Sequence, residues 1–228
     1  MDPTAEIVKI LKERVNCFES PAILFSGGVD STMIAHLSRA PILYTLCRDE
    51  GSGDFVNAER ACELLGFETE FIEFGREDVR EALSPLRNMF ERVSAIDVSH
   101  FLLAKTVRER DVLSGQGADE LFLGYARYGR MTSEEKENAS IEDFDRFVRE
   151  GREVRIFETF GKRIFFPFAA LRDTASALPA GERENKKVLR EAALLMGLPE
   201  EIAYRRKKAL QYGSGVDKEY KKLRHGSP

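Results

Sequence analysis

One short string in this 228-residue chain is built for anion chemistry: Ser26-Gly27-Gly28-Val29-Asp30-Ser31-Thr32. Paired glycines let a backbone turn sharply and bring its N–H groups close to an anion. A helix opening directly behind them adds unpaired donors and the positive end of its dipole. Ser26, Ser31 and Thr32 contribute hydroxyl donors around the same space. Asp30 breaks the pattern of a plain anion nest, since a carboxylate beside a phosphate repels it unless a divalent cation sits between them. The string therefore implies a phosphate together with a magnesium ion.

Such a loop works only if a strand delivers it and a helix follows it. Ala22-Ile23-Leu24-Phe25, bounded by Pro21 and the paired glycines, is too short for a helix and is expected to be a buried strand, with helical spacing resuming at Met33, Ile34 and Leu37. The alternation continues. Ile42 to Cys47, Thr69 to Phe74 and Asp111 to Leu113 are expected strands, with a helix over Asn57 to Leu65 and helical stretches before and after Asp97. Strands alternating with helices predict an α/β fold, a parallel twisted sheet with helices on both faces, whose ligands sit beyond the carboxyl ends of the strands. Ahead of it, Asp2-Pro3-Thr4 starts a helix with an apolar stripe of Ile7, Ile10, Leu11 and Val15. After about Met131 strand-like runs become rare and helical charge patterns take over. The expected organisation is an N-terminal helix over 1–19, an α/β core over 20–130 and a mostly helical part over 131–228.

Composition narrows the partners. Charged residues make up 32% of the chain with both signs interspersed, and the net charge of −4 provides no general attraction to nucleic acid or anionic lipid. Cys17, Cys47 and Cys62 are odd in number and form no CxxC pair, which argues against a disulfide framework or a zinc site; Cys47 and Cys62 are expected to pack as small hydrophobes. No apolar run approaches the ~18 residues of a membrane span. A cytoplasmic protein is expected, acting on small molecules and not on nucleic acid or membranes, with a homo-oligomer an open option. Between Ile202 and His225 eight Lys or Arg stand against Asp217 and Glu219, a basic segment that composition alone would leave as a solvated tail.

SGGVDST resembles the SGGxDS signature of the pyrophosphatase-loop enzymes, which cleave ATP between its α and β phosphates, and the GxxxxGK[ST] loop of γ-phosphate transfer is absent. A second string, Ser114 to Tyr125 (SGQGADELFLGY), is similar to the SGEGADELFGGY segment of asparagine synthetases, and Gly161 to Phe168 (GKRIFFPF) to their GxEARxPF element. Leu178-Pro179, Lys187-Val188-Leu189-Arg190 and Leu198-Pro199 follow the LP…KxLLR…LP succession, and Arg205 to Gly213 resembles RxKxxFxDG. The resemblance to the synthetase half of that family spans roughly residues 20 to 217 and implies an adenine nucleotide α-hydrolase-like fold. It implies a carboxylate, with aspartate the best guess, adenylated by Mg-ATP and then passed to ammonia or an amine. Leu24, Leu46 and Gly115 would line the adenine site. Ser26, Gly27, Gly28, Ser31 and Lys207 would hold the pyrophosphate, Asp30 and Asp119 the magnesium, and Lys207 would take the place of the family's catalytic lysine.

The departures cluster in the acyl half. Gln116 stands where the family has a glutamate, Leu123 where it has glycine and Arg155 where it has lysine. Arg163 and Phe165 replace the glutamate and arginine of GxEARxPF, and Ala170 replaces an aspartate; all are expected to crowd the acyl substrate. An amide at 116 cannot act as a base. With about 20 residues ahead of the phosphate loop, nitrogen is expected as free ammonia, as another amine, or from a separate glutaminase subunit. Two other readings stay open: a nucleotide-binding subunit that has lost catalysis, and base adenylation in a transfer RNA.

Overall fold

The computed structural model describes residues 2–205 and 209–224. Helix α1 (Pro3–Val15) starts where Asp2 accepts the Thr4 N–H at 3.1 Å and buries Ile7, Leu11 and Val15, with Ile10 half-buried. Strand β1 (Ala22–Leu24), α2 (Val29–Leu37), β2 (Ile42–Cys47), α3 (Gly53–Leu65) and β3 (Thr69–Glu73) follow, then α4 (Arg76–Met89), α5 (Ala95–Thr106) and β4 (Asp111–Leu113). Each expected strand is present, ending within a residue of the sequence reading.

The strands are short and apolar because both of their faces are covered. Ile23, Leu43 and Leu113 point into a core shared with α1, α2 and α3, while their neighbours Ala22, Tyr44 and Val112 point into a second core shared with α4 and α5. That alternation is the period of two of an extended chain. All pairings are parallel and the order is β3-β2-β1-β4, with a fifth strand beyond β4. The chain leaves β1 toward β2 and β3, then returns to place β4 on the other side of β1. Between β1 and β4 the connections diverge to opposite sides of the sheet and open a crevice at the carboxyl ends. Both motif loops leave the sheet there.

After β4 come α6 (Ala118–Leu121), α7 (Ser133–Glu150), α8 (Arg152–Glu158) and β5 (Arg163–Phe165). Strand β5 lies within the region read as helical. Its three residues leave little periodicity, and its edge position is marked by a charge: Arg163 forms two hydrogen bonds of 2.7 and 2.8 Å to Asp111 on β4. The remainder is helical, in short pieces: α9 (Arg172–Ser176), α10 (Ala180–Arg183), α11 (Lys187–Leu195), α12 (Glu200–Ala203), α13 (Leu210–Gly213) and α14 (Val216–Arg224). The basic C-terminal segment is no solvated tail over 216–224. Val216 and Tyr220 join the core of α4 and α5, and the buried Glu219 carboxylate takes Arg48 at 2.7 Å and Lys222 at 2.9 Å. Among the described residues no helix is long and apolar enough to cross a membrane.

Candidate active site

The loop after β1 turns at Gly27, whose φ is +64°; a Cβ there would meet the Asn57 carbonyl oxygen at 2.1 Å. Glycine lets the phosphate loop lie directly on α3. Within the loop the hydroxyls hold the turn: Ser26 N–H donates to Ser31 Oγ at 3.3 Å, and Ser31 Oγ donates to the Gly28 carbonyl at 3.2 Å. Asp30 sits in the first turn of α2 and is 1% exposed.

The loop after β4 brings Asp119 to the same place, and a residue absent from the sequence reading joins them. Lys186 Nζ lies 2.6 Å from Asp30 Oδ2 and 2.7 Å from Asp119 Oδ1. Burial alone would push its ammonium toward the neutral form, but the two carboxylates outweigh that and raise its pKa well above the usual lysine value. The backbone is bent to reach this position. Asn185 and Lys186 both adopt left-handed conformations, φ +52° and +60°, each costing roughly 1–2 kcal/mol. Their N–H groups are pinned to the carbonyls of Leu123 and Phe122. Gly124 completes the approach, since a Cβ there would fall 2.1 Å from Asp119 Oδ1 and 2.4 Å from Lys186 Cε.

A cleft of about 580 Å³ opens between these loops and α5, α7 and α8. Of the expected site residues, Leu24, Ser26, Ser31, Leu46, Gly115 and Asp119 line it. Gly27 and Gly28 belong to the same loop but do not line the cleft, and Asp30 faces Lys186 beside it. Lys207 lies outside the described residues. The segments on either side of it border the site: Arg205 donates to the Gly27 and Asn57 carbonyls at 3.4 and 2.8 Å, and Ala209, Leu210 and Gln211 line the cleft.

The donor set fits magnesium shared with a polyphosphate. Asp30 and Asp119 already face one cation, the Lys186 ammonium, and two carboxylates are what magnesium takes from protein when phosphates supply other ligands. Among the described residues no group of three or more acidic, histidine or cysteine side chains could hold a metal ion.

The far wall is held by an ion pair. Arg152, at the start of α8, donates to both carboxylate oxygens of Asp97 on α5 at 2.8 and 2.7 Å and packs over the Phe90 ring. Asp97 also accepts from Ser94 N and Oγ, capping α5. Burial would raise the Asp97 carboxyl, yet the Arg152 and Ser94 donors hold it below the usual value. A depressed folded-state pKa contributes stability above the unfolded value near pH 4, and the contribution disappears as pH falls through the folded one. Asp97→Asn should therefore cost roughly 3 kcal/mol near pH 7. Urea denaturation should show the gap to wild type closing in acid; a gap that stays constant down to pH 2–3 would contradict the pairing.

His100 on α5 lines the cleft and is buried, and its Nδ1 lies 3.9 Å from Glu153. Burial lowers its pKa, with Glu153 and Asp97 acting in the opposite sense. The thiols of Cys47 and Cys62 are both pushed up to about 11, chiefly by burial, as unreactive packing residues should be.

The asparagine synthase family model matches residues 5–177. The chain belongs to that family. A Methanocaldococcus jannaschii protein provisionally named asparagine synthetase (glutamine-hydrolyzing) 1 is 28% identical over 260 aligned positions, covering 90% of this chain and 48% of that protein. The asparagine synthetase (glutamine-hydrolyzing) of Gallus gallus is 24% identical over 234 positions, covering 89% of this chain and 41% of that one. The chain thus spans less than half the length of these relatives. A solved structure from Methanocaldococcus jannaschii, described as a predicted subunit of tRNA methyltransferase, aligns at TM-score 0.36 and 17% identity over 85% and 95% of the two chains. That overlap carries no argument about chemistry.

Placed in the fold, the departures from the asparagine synthase pattern separate. Gln116 lines the cleft; Arg155, Arg163, Phe165 and Ala170 do not, correcting the expectation that all crowd the acyl substrate. Arg155 reaches back to the Met89 carbonyl, Arg163 pairs with Asp111 at the sheet edge, and Phe165 packs on Phe18. Nothing in the structure explains Ala170. Leu123, where the family has glycine, adopts φ +50° and is 1% exposed. The left-handed backbone costs roughly 1–2 kcal/mol, and burying a leucine side chain returns about 1.5–3 kcal/mol, so the substitution holds.

Proposed function

We propose that the chain binds Mg-ATP in this cleft, adenylates a carboxylate with release of pyrophosphate, and passes the acyl group to ammonia or an amine. One observation carries the reading: Asp30 and Asp119, from the loops after β1 and β4, converge on the Lys186 ammonium beside a strand-end crevice. Leu24, Leu46 and Gly115 line the cleft and would meet the adenine, and Ser26 and Ser31 line it from the phosphate loop. Asp30 and Asp119 would hold the magnesium, which offsets polyphosphate charge when bound. Lys207 would neutralise the departing pyrophosphate, and aspartate is the first acid to supply. In this reading residues 20–130 form the ATP-pyrophosphatase core, 131–228 complete the active site, and the nitrogen comes as free ammonia, as an amine, or from a separate glutaminase.

The products distinguish this chemistry from γ-phosphate transfer. Incubation with magnesium, ATP, L-aspartate and ammonium chloride should yield AMP and pyrophosphate in equal amounts, read by anion-exchange chromatography. A panel of other carboxylates, screened by exchange of labelled pyrophosphate into ATP, identifies the acid. Stoichiometric ADP would overturn the proposal.

A further inference from the structure

Gln116 removes a carboxylate from the loop after β4, and the cleft supplies another directly opposite. Gln116 Nε2 donates to Glu153 Oε1 at 3.1 Å, while its backbone N–H donates to Ser114 Oγ at 3.3 Å and its side-chain oxygen lies 3.5 Å from the same hydroxyl. The amide is thereby oriented with its nitrogen toward Glu153. Both side chains line the same cleft as Ser31 and Gly115. The Glu153 side chain is 13% exposed, and its one ion-pair neighbour among the described residues is His100, at 3.9 Å. The neighbouring Arg152 directs its guanidinium to Asp97 and the Arg92 carbonyl instead. A glutamate at 116 would set two carboxylates against each other across that hydrogen bond, an arrangement in which both cannot stay ionised. The pair is matched to hold one carboxylate, and it sits on α8.

We propose that Glu153 is the catalytic carboxylate of the second half-reaction, accepting a proton from the attacking nitrogen of ammonia or a primary amine, with Gln116 orienting it. The inference rests on the adenylation reading above. The nitrogen lone pair forms the new C–N bond to the acyl carbon. The C–O bond to the adenylate phosphate breaks, its electron pair leaving with AMP, and one proton passes from nitrogen to the Glu153 carboxylate and on to solvent. The Arg152–Asp97 pair fixes the start of α8 and so the position of Glu153.

The test compares two rates in each protein: labelled pyrophosphate exchange into ATP with L-aspartate, or with the panel acid that supports exchange, and amide formation from ammonium chloride. Glu153→Gln should lower the ratio of amide formation to exchange by about 100-fold or more. The adenylate should still be trapped by hydroxylamine, which is unprotonated near pH 7. Moving the carboxylate back across the hydrogen bond, in the double variant Gln116→Glu with Glu153→Gln, should recover at least about tenfold of the lost ratio. A ratio within about threefold of wild type in Glu153→Gln, parallel loss of both rates, or no recovery in the double variant would overturn the assignment. Absence of exchange in wild type with every carboxylate would overturn the adenylation reading itself, and the Glu153 assignment with it. Failure confined to Glu153 appears with exchange intact.

Discussion

Asp30→Asn and Asp119→Asn should each lower carboxylate-dependent pyrophosphate exchange about 100-fold or more while leaving the protein folded. The two halves of that expectation have separate grounds. Exchange falls because each substitution removes one of the two carboxylates that would hold the magnesium, and it is the magnesium that would offset the triphosphate charge. The fold survives because either substitution leaves Lys186 facing one remaining carboxylate. Asp30 is nearly inaccessible, whereas the Asp119 side chain is 31% exposed. The Asp30 variant should accordingly show the larger loss, since water can stand in for a ligand more easily at the open position. Exchange at saturating magnesium chloride, with thermal melts by circular dichroism, measures both quantities. Near-normal exchange in either variant removes that residue from the site.

The α/β core was legible because buried parallel strands must be short and largely apolar and end at turn residues, as Ala22–Leu24 and Ile42–Cys47 do and as Val112 and Leu113 do ahead of Ser114 and Gly115. The phosphate loop was legible for a similar reason, since few environments other than an anion favour glycines, hydroxyls and an aspartate between a strand and a helix. Residues recruited from distant segments were not. Lys186 stands next to Lys187 in the sequence, and only the left-handed turn at Asn185 and Lys186 sends one ammonium into the site and the other to solvent. Glu153 lies in a charged stretch whose spacing resembles any surface helix; the Arg152–Asp97 pair across 55 positions is what turns it inward. The converse error has the same source. Arg155 and Arg163 looked like site substitutions because the family motif runs through them, but α8 and β5 direct their side chains to the Met89 carbonyl and Asp111.

The two adjacent lysines allow a sharper comparison. Lys186→Met should destabilise the protein by roughly 3–5 kcal/mol, because it removes a buried ammonium that pairs with both Asp30 and Asp119. It also leaves the left-handed backbone at 185–186 with less to offset its cost. Lys187→Met should change stability by under about 0.5 kcal/mol, since the Lys187 side chain is 52% exposed and its pairing with Glu182, at 3.4 Å, is solvent-screened. The pH dependence follows from the raised pKa of Lys186. A group whose folded pKa lies above its unfolded value contributes fully below the unfolded one, about 10.4 for lysine, and loses the contribution as pH rises through the folded one. The gap between wild type and Lys186→Met in urea denaturation should therefore stay flat from about pH 6 to 9 and narrow only above about pH 10. It should also be insensitive to salt, because a buried pair is little screened. Pyrophosphate exchange should fall about 100-fold or more with Lys186→Met and hardly at all with Lys187→Met. Equal behaviour of the two variants would mean that the ammonium between Asp30 and Asp119 holds neither the fold nor the site.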